Sequence, residues 1–215
     1  KVFEEVAKKT NQIILMSHFF SFKGNNQQLK KFERLEKKLS SNKTFIQKSL
    51  CNSGGMINFP SSQKDIVRPG ICLFGSKSNL KTKNLKLKPV MTLKSKFISI
   101  KEIERGEKVG YEGTWQAKRR TKIGVLPIGY GDGYPLNLSN CGKIYINGKL
   151  ASVIGKISMD MMAVDLTNFR KISYKDEVIL WGKGHEVDTV AKYANNSSYS
   201  LMTGISQRVK KVYKL

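Results

Sequence analysis

Two tyrosines flanked by glycines mark the part of this sequence that is best suited to chemistry. Tyr111 and Tyr130 both lie in the stretch from Gly106 to Gly133, which has glycines on either side of each phenol. Because glycine permits positive φ and close backbone approach, this spacing predicts that the two phenols lie on tight turns at strand ends. Such turns either present a hydroxyl to a ligand or form ordinary hairpins whose rings fill the core. The spacing leaves both interpretations open.

Three polar residues follow short apolar runs in the first third of the chain. They are His18, Ser53 and Arg68, the last of which begins the sequence Arg-Pro-Gly-Ile. From the residues alone, a helix N-cap at Asn52-Ser53, a turn at Arg68-Pro69-Gly70 and an ordinary strand-end histidine at His18 are the favoured interpretations of these positions.

Alternating strands and helices are predicted before about residue 75. Ile13–Met16 is a short apolar run, typical of a buried strand in a parallel sheet. From Asn26 to Leu39 apolar residues recur every three or four positions, which predicts an amphipathic helix. The pattern also includes a helix over Phe3–Ala7, a strand over Thr44–Lys48 and an apolar run over Ile66–Phe74. This alternation indicates βα units.

The residue pattern changes after the lysine-rich segment Ser76–Lys88, which is predicted to be a linker. Short strand-like runs are separated by Gly, Asn, Asp and Pro, and Asn147-Gly148 is a strong hairpin signal. The predicted strands are Met91–Ile103, Ile123–Ile128, Lys143–Ile146, Ala151–Ile157, Met162–Leu166 and Glu177–Trp181, with a short helix over Val187–Ala194. We therefore predict two domains, residues 1–88 and a mostly β domain at residues 89–215.

Composition excludes some functions and leaves one alternative open. No apolar run approaches the ~18 residues of a membrane span and no signal peptide opens the sequence, so a cytoplasmic protein with three reduced cysteines is expected. The cysteines have no metal-type spacing, and no metal site is expected. The net charge of +23 raises the alternative of a basic module that binds RNA or another polyanion. Because the lysines are spread over every segment, solvated faces are the favoured interpretation and nucleic-acid binding is not expected.

A series of motifs in consistent order carries a family resemblance. They are S-H-F at Ser17–Phe19, C-N-S at Cys51–Ser53, V-R-P-G-I at Val67–Ile71, L-K-P-V-M-T-L at Leu87–Leu93, the glycine-rich stretch Gly106–Gly133, V-I-G-K-I-S-M-D at Val153–Asp160, D-E-V-I-L-W-G at Asp176–Gly182 and S-Y-S-L-M-T at Ser198–Thr203. In these motifs the chain resembles the alanine racemases. The resemblance implies the last βα units of a TIM-type barrel followed by a mostly β C-terminal domain.

It also implies an isomerase that interconverts L-alanine and D-alanine with pyridoxal 5'-phosphate, supplying D-alanine for peptidoglycan. Ser53, Gly70 and Ile71 match the family's phosphate-binding positions, and His18 matches a residue beside the cofactor ring. Arg68 matches the arginine that faces the pyridine nitrogen. Since arginine stays protonated, it discourages protonation of that nitrogen and favours return of the α-proton over transamination.

Residues of the second domain match the family's substrate side, which in a homodimer acts on the partner's barrel. Tyr111 matches the tyrosine that exchanges the α-proton on the L face of the substrate aldimine, and Met159 matches the residue whose backbone N–H holds the substrate carboxylate. Tyr130 and Tyr199 match tyrosines that line the entrance, Tyr199 also lying near the cofactor phosphate. Asp160 is expected to orient its neighbours.

Two family residues have no counterpart, a lysine and a substrate-side arginine. The lysine that forms the internal aldimine lies on the family's first barrel strand, and this sequence begins at Lys1, in the middle of the barrel. The resemblance covers about the last 60% of a family member. A C-terminal portion that is inactive by itself is therefore expected.

Overall fold

The computed structural model describes residues 2–21, 26–39, 45–78, 80 and 85–214. The chain divides into two compact units, residues 1–87 and residues 88–215. Thr44, where a strand was predicted to begin, and residues 79 and 81–84 of the predicted linker lie outside the described residues. No helix in the described ranges is long and apolar enough to cross a membrane.

The first unit contains a three-stranded parallel sheet. Its strands are β1 (Gln12–Met16), β2 (Phe45–Asn52) and β3 (Ile66–Arg68), and its helices are α1 (Val2–Ala7), α2 (Asn26–Leu39) and α3 (Ser53–Asn58). The strands lie side by side in chain order, and both pairings are parallel. Because parallel strands end at the same edge of a sheet, the segments that follow Met16, Asn52 and Arg68 are neighbours.

The first unit has a small core. The α2 periodicity predicted a helix over Asn26–Leu39, and the structure confirms it. Phe32 is the residue of that helix that is fully buried, and it packs with Phe19 and Leu50. Ile14 and Met16 of β1, in contrast, expose more than half of their surfaces. The Ile66–Phe74 run is a strand only as far as Arg68, since Pro69 and Gly70 interrupt it before a 3₁₀ turn at Ile71–Phe74.

The second unit is built on a seven-stranded antiparallel sheet and a two-stranded ribbon. The strands are β4 (Leu93–Ser95), β5 (Ser99–Ile103), β6 (Lys108–Val109), β7 (Trp115–Gln116), β8 (Thr121–Leu126), β9 (Lys143–Ile146), β10 (Lys149–Ile154), β11 (Met162–Asp165) and β12 (Val178–Trp181). The strand order in the sheet is β4-β12-β9-β10-β11-β8-β5, and β6 pairs with β7 in the ribbon. The helices are α4 (Val187–Tyr193) and α5 (Ser198–Thr203).

The prediction of one strand over Met91–Ile103 is wrong. The run forms two strands at opposite ends of the strand order, because β4 pairs with β12 and β5 pairs with β8. Phe97 lies at the corner between them and is buried against Gly124, where a Cβ would lie 2.4 Å from the Phe97 ring. Apolar periodicity continues through this corner because the side chain at the bend is itself in the core.

Glycines set two strand ends in this sheet. The predicted hairpin at Asn147-Gly148 is confirmed, with φ of 47° and 83°, and joins β9 to β10. The strand predicted over Ala151–Ile157 ends early, at Ile154, because Gly155 has a φ of 73°. A Cβ on Gly155 would lie 2.6 Å from the Val109 carbonyl oxygen, so the ribbon reaches the sheet through backbone contact.

The core of the second unit is large. Tyr134 and Trp181 stack in it with ring centroids 5.9 Å apart, and neither ring is exposed. Burial raises the pKa of the Tyr134 phenol. Strands β8 to β12 and helices α4 and α5 all contribute buried side chains to this core. The unit therefore has an apolar interior of its own on which surface turns can be held.

Candidate functional site

Arg68 is the centre of the polar cluster in the first unit. It lies at the end of β3, and its guanidinium donates to the Ser49 hydroxyl on β2. It also donates to the carbonyl oxygen of Ser17, 2.7 Å away, just after β1. These bonds reach the adjacent strand β2 and the segment that follows β1, the next strand of the sheet. They hold a permanent positive charge at the C-terminal edge of the parallel sheet.

His18 lies beside this guanidinium. Its Nδ1 is 3.4 Å from Arg68 Nη2, and its Nε2 is 3.2 Å from the side-chain nitrogen of Asn52. The imidazole therefore bridges the last residue of β3, Arg68, and the last residue of β2, Asn52. Asn52 also caps α3, because its side-chain oxygen accepts from the backbone N–H of Gly55 at 2.8 Å. The N-cap interpretation of the Asn-Ser pair is thus correct, and the same asparagine contacts the candidate site.

Ser53 and Gly70 are joined directly. The Ser53 hydroxyl accepts a 2.8 Å hydrogen bond from the backbone N–H of Gly70, and Ser53 is almost fully buried. Ile71, also buried, begins the 3₁₀ turn that follows. The structure therefore brings three of the predicted phosphate-binding positions to one place. The Ser53 O–H can still donate to an anion there, since the oxygen accepts from Gly70 through a lone pair.

Tyr111 lies on a tight 3₁₀ turn of the second unit, Tyr111–Gly113, and exposes 69% of its surface. Gly110, with φ of 77°, leads into the turn, and a Cβ there would lie 2.6 Å from the Lys156 backbone nitrogen. Glu112 has a φ of 62°, which is unfavourable for a non-glycine residue. Its carboxylate contacts Lys156 Nζ at 2.8 Å. Backbone contact and an ion pair thus hold the turn, while the phenol projects outward.

Tyr130 and Met159 lie on two loops that are joined through their backbones. The N–H of Tyr130 donates to the Ser158 carbonyl oxygen at 3.1 Å, and the N–H of Gly131 donates to the Met159 carbonyl oxygen at 2.9 Å. A Cβ on Gly129 would lie only 2.1 Å from Ser158 O, so the loops approach closely because that position is glycine. Tyr130 and Met159 each leave about half of their surface exposed, at 49% and 52%.

Tyr199 lies on α5, where its carbonyl oxygen accepts from the Thr203 hydroxyl. Among the described residues, no side-chain hydrogen bond or ring contact joins Tyr199 or Tyr111 to the Tyr130–Met159 pair. The second unit therefore brings two of its four predicted residues together. All four have exposed side chains, which is the condition for contact with a ligand or another chain.

Comparison with known proteins identifies the family to which the chain belongs. A profile described as alanine racemase, C-terminal domain, matches residues 90–213, and one described as alanine racemase, N-terminal domain, matches residues 1–78. The chain belongs to the alanine racemase family. The chain is 42% identical over 200 residues to the alanine racemase of Vesicomyosocius okutanii, and this match covers 93% of this chain and 56% of that protein. It is 46% identical over 158 residues to that of Actinobacillus succinogenes, covering 73% of this chain and 44% of the relative.

Solved alanine racemases share the fold. The Acinetobacter baumannii enzyme matches with a TM-score of 0.87 at 35% identity, over 96% of this chain and 58% of that one. The Bartonella henselae enzyme, solved with covalently bound pyridoxal phosphate, matches with a TM-score of 0.84 at 30% identity, over 94% of this chain and 56% of that one. These matches confirm the predicted fold class, the last βα units of a TIM-type barrel followed by a mostly β domain. The chain spans about half the length of the alanine racemases it matches.

One charged group in this chain was not predicted from the sequence. Arg208 donates through Nε to an Asp132 carboxylate oxygen and contacts Asp160 through Nη2, each at 2.8 Å. Its Nη2 also donates to the Met159 carbonyl oxygen at 3.2 Å. The hydrogen bond to Asp132 and, to a smaller extent, the hydrogen bond to Asp160 raise the pKa of Arg208. The motif S-M-D pointed to Asp160, but nothing in the sequence links it to an arginine near the C-terminus.

The donor set of the first unit fits pyridoxal phosphate. A phosphate ester requires hydroxyl or backbone donors, and the Ser53 O–H, whose oxygen is held by the Gly70 N–H, provides one. A pyridine nitrogen accepts hydrogen bonds, and Arg68 offers a guanidinium that is already fixed by Ser17 and Ser49. These features also agree with the cofactor that the Bartonella henselae structure carries.

Proposed function

We propose that the protein to which this chain belongs is an alanine racemase that uses pyridoxal 5'-phosphate to interconvert L-alanine and D-alanine. The observation that supports this most strongly is the Arg68 cluster, in which one guanidinium is hydrogen-bonded to Ser49 on β2 and to Ser17 just after β1, and lies beside His18. Supply of D-alanine for peptidoglycan, and a location in the cytoplasm, complete the proposal.

The first unit would hold the cofactor. Ser53, Gly70 and Ile71 would bind its phosphate, with Tyr199 near the same group. Arg68 would donate to the pyridine nitrogen, and His18 would lie beside the ring. When bound, pyridoxal phosphate withdraws electrons from the substrate Cα and so weakens its C–H bond. Because Arg68 is a permanent cation held by three strands, it would keep the ring nitrogen from gaining a proton, which limits this withdrawal and favours return of the proton to Cα.

The second unit would act on the substrate. Tyr111 would take and return the α-proton on the L face through its phenol oxygen. The backbone N–H of Met159 would hold the alanine carboxylate, and Tyr130 and Tyr199 would line the entrance. The outward position of the Tyr111 phenol, on a turn fixed by Gly110 and the Glu112–Lys156 ion pair, supports a role in contacting a group outside its own unit.

We infer that the active assembly is a homodimer in which Tyr111 and Met159 serve the barrel site of the partner. The exposure of both side chains supports this, since a residue that works across an interface is exposed in the separate chain. We also infer that the two compact units are the two predicted domains, residues 1–88 and 89–215.

The test is Tyr111→Phe in the full-length enzyme. Removal of one proton carrier should lower racemisation by about 10²- to 10⁴-fold, the usual contribution of a general acid–base group. Absorbance of the bound cofactor should be unchanged, because no phosphate or ring contact is removed. Racemisation is measured in both directions by following the optical rotation of alanine.

Tyr174→Phe is the matched control. Tyr174 is also exposed, and its hydroxyl accepts from the backbone N–H of Ile100, so its loss should leave the rate near that of the parent enzyme. Near-normal turnover by Tyr111→Phe would remove Tyr111 from the mechanism.

A further inference from the structure

The guanidinium of Arg208 joins the two loops that carry Tyr130 and Met159. Nε donates to Asp132, which ends the turn Tyr130–Asp132, and Nη2 contacts Asp160 and the carbonyl oxygen of Met159. One planar cation thus makes three polar contacts with residues on both loops. A fork of this shape holds two carboxylates in fixed directions, which a lysine ammonium cannot do.

Asp132 connects this cation to the backbone. Its other carboxylate oxygen accepts from the N–H of Gly129 at 2.8 Å, and its own carbonyl oxygen accepts from the N–H of Ser206 at 3.0 Å. The side chain of Asp132 is only 14% exposed, whereas that of Asp160 is 61% exposed. The Asp132 contact is therefore the better shielded of the two ion pairs, and exposed pairs contribute little by themselves.

Gly131 makes room for the guanidinium. A Cβ at position 131 would lie 2.5 Å from Arg208 Nη2 and 3.0 Å from the Met159 carbonyl oxygen. The backbone N–H of Gly131 donates to that same carbonyl. The Met159 carbonyl therefore receives hydrogen bonds from both the neighbouring loop and Arg208. This fixes the peptide plane on the C-terminal side of Met159 and, with it, the local backbone.

We propose that Arg208 is a positioning residue for substrate binding, which fixes the Met159 loop so that its backbone N–H points at the carboxylate of the amino-acid substrate. This inference rests on the proposed function, in which Met159 holds that carboxylate. In this role Arg208 acts through its contacts with Asp132, Asp160 and the Met159 carbonyl oxygen. The carboxylate contact is made in the ground state and the transition state alike, so its weakening raises KM and leaves kcat nearly unchanged.

The main experiment compares Arg208→Ala with Arg120→Ala in the full-length enzyme. Arg120 is the matched control because it also pairs with two carboxylates, Glu102 and Glu104, away from these loops in the sequence. Arg208→Ala should raise KM for both alanine enantiomers about tenfold, the effect of one poorly placed hydrogen-bond donor, with kcat changed less than about twofold. Arg120→Ala should change neither constant by more than about twofold.

Two further variants keep the test decisive if Arg208→Ala folds poorly. Arg208→Lys retains the charge but not the fork, so part of the KM increase should remain. Gly131→Ala retains the arginine and displaces its guanidinium, so KM should rise in the same direction. Equal KM values for the parent, Arg208→Lys and Gly131→Ala would overturn the proposal, as would an Arg208→Ala effect no larger than that of Arg120→Ala.

A second readout does not depend on racemisation. In the 215-residue chain, amide hydrogen exchange at Tyr130 and Gly131 reports on the bonds between the two loops. Arg208→Ala should speed exchange at both amides, and Arg120→Ala should not. If the parent enzyme fails to racemise alanine while this difference is seen, the proposed function is wrong and the loop-fixing role stands. If the two variants exchange alike, the role of Arg208 is wrong whatever the enzyme does.

Discussion

In residues 1–87 the candidate site is held mainly by side chains, whereas in residues 88–215 it is held mainly by backbone. Arg68 reaches Ser49, Ser17 and His18 through its guanidinium, on a sheet whose buried core is small. The Tyr130 and Met159 loops are joined by backbone hydrogen bonds and lie on a unit with a large core. The candidate site of the first unit thus depends on a few polar contacts, and that of the second unit depends on packing that this unit supplies by itself.

The largest difference should appear in hydrogen exchange of the 215-residue chain. Backbone amides of β8 and β11, in the interior of the seven-stranded sheet, should be protected at least about 100-fold more than those of β1 and β2, because opening free energy follows the local buried core. Mass spectrometry of peptides from both units measures this. Equal protection in β2 and β8 would show that the core sizes do not set the stability of the two units.

Two fully buried leucines, one in each unit, sharpen the comparison. Leu180→Ala should lower the free energy of unfolding of the second unit by about 2–5 kcal/mol, because it leaves a cavity in a densely packed core. Leu50→Ala should cost less, since its small cluster can relax around the gap.

Tryptophan fluorescence in urea separates the two effects. Both tryptophans, Trp115 and Trp181, lie in the second unit. Leu180→Ala should therefore move the fluorescence midpoint to lower urea, whereas Leu50→Ala should leave it in place and speed exchange in β2. A shift of the fluorescence midpoint by Leu50→Ala would show that the two units unfold together.

The smallest expected effect is the pH dependence that arises from His185. Burial lowers the pKa of His185, against the opposing effect of its hydrogen bond to the Lys143 carbonyl. As pH falls below about 6.5, the unfolded chain gains this proton before the folded one does, so the second unit should lose stability until pH falls below the folded pKa.

Thermal unfolding at pH 7.5 and pH 5.5, followed by tryptophan fluorescence, checks this for the parent and for His185→Gln. The variant should lose less stability than the parent between these two pH values. His18→Gln is the control, because the chain has two histidines and His18 lies in the other unit. A loss of stability in His185→Gln as large as in the parent would assign the pH dependence to other groups.

Local signals predicted local structure well. The three- and four-residue spacing gave the right bounds for α2, and Asn147-Gly148 marked the hairpin between β9 and β10. The corner at Phe97 was missed because the side chain at the bend is buried, so the apolar pattern does not change there. A pattern along the chain reports which residues are buried, and it does not report where a strand leaves one neighbour for another.

The contacts within the candidate site were also not predictable from local sequence patterns, because they join residues that are far apart in the chain. Its individual residues were selected through family resemblance, and their roles in the reaction stay predictions. Arg208 was missed because its hydrogen bond to Asp132 joins residues 76 positions apart, and one arginine in a chain with 39 Lys+Arg carries no signal of its own. Asn52 was interpreted as a cap, which it is, but its contact with His18 depends on strand order and not on local sequence.

The close approach at Gly129 has a consequence for engineering this protein. Any side chain there would place its Cβ within 2.6 Å of three backbone atoms of Ser158 and Met159. A backbone obstacle cannot rotate away as a side chain does, so saturation mutagenesis at position 129 should return almost only glycine even though no chemistry is assigned to it. Libraries that aim to change the preference for the proposed substrate should keep this position constant. They should place their diversity at Tyr130, whose ring is half exposed and whose backbone stays anchored to Ser158 whichever side chain it carries.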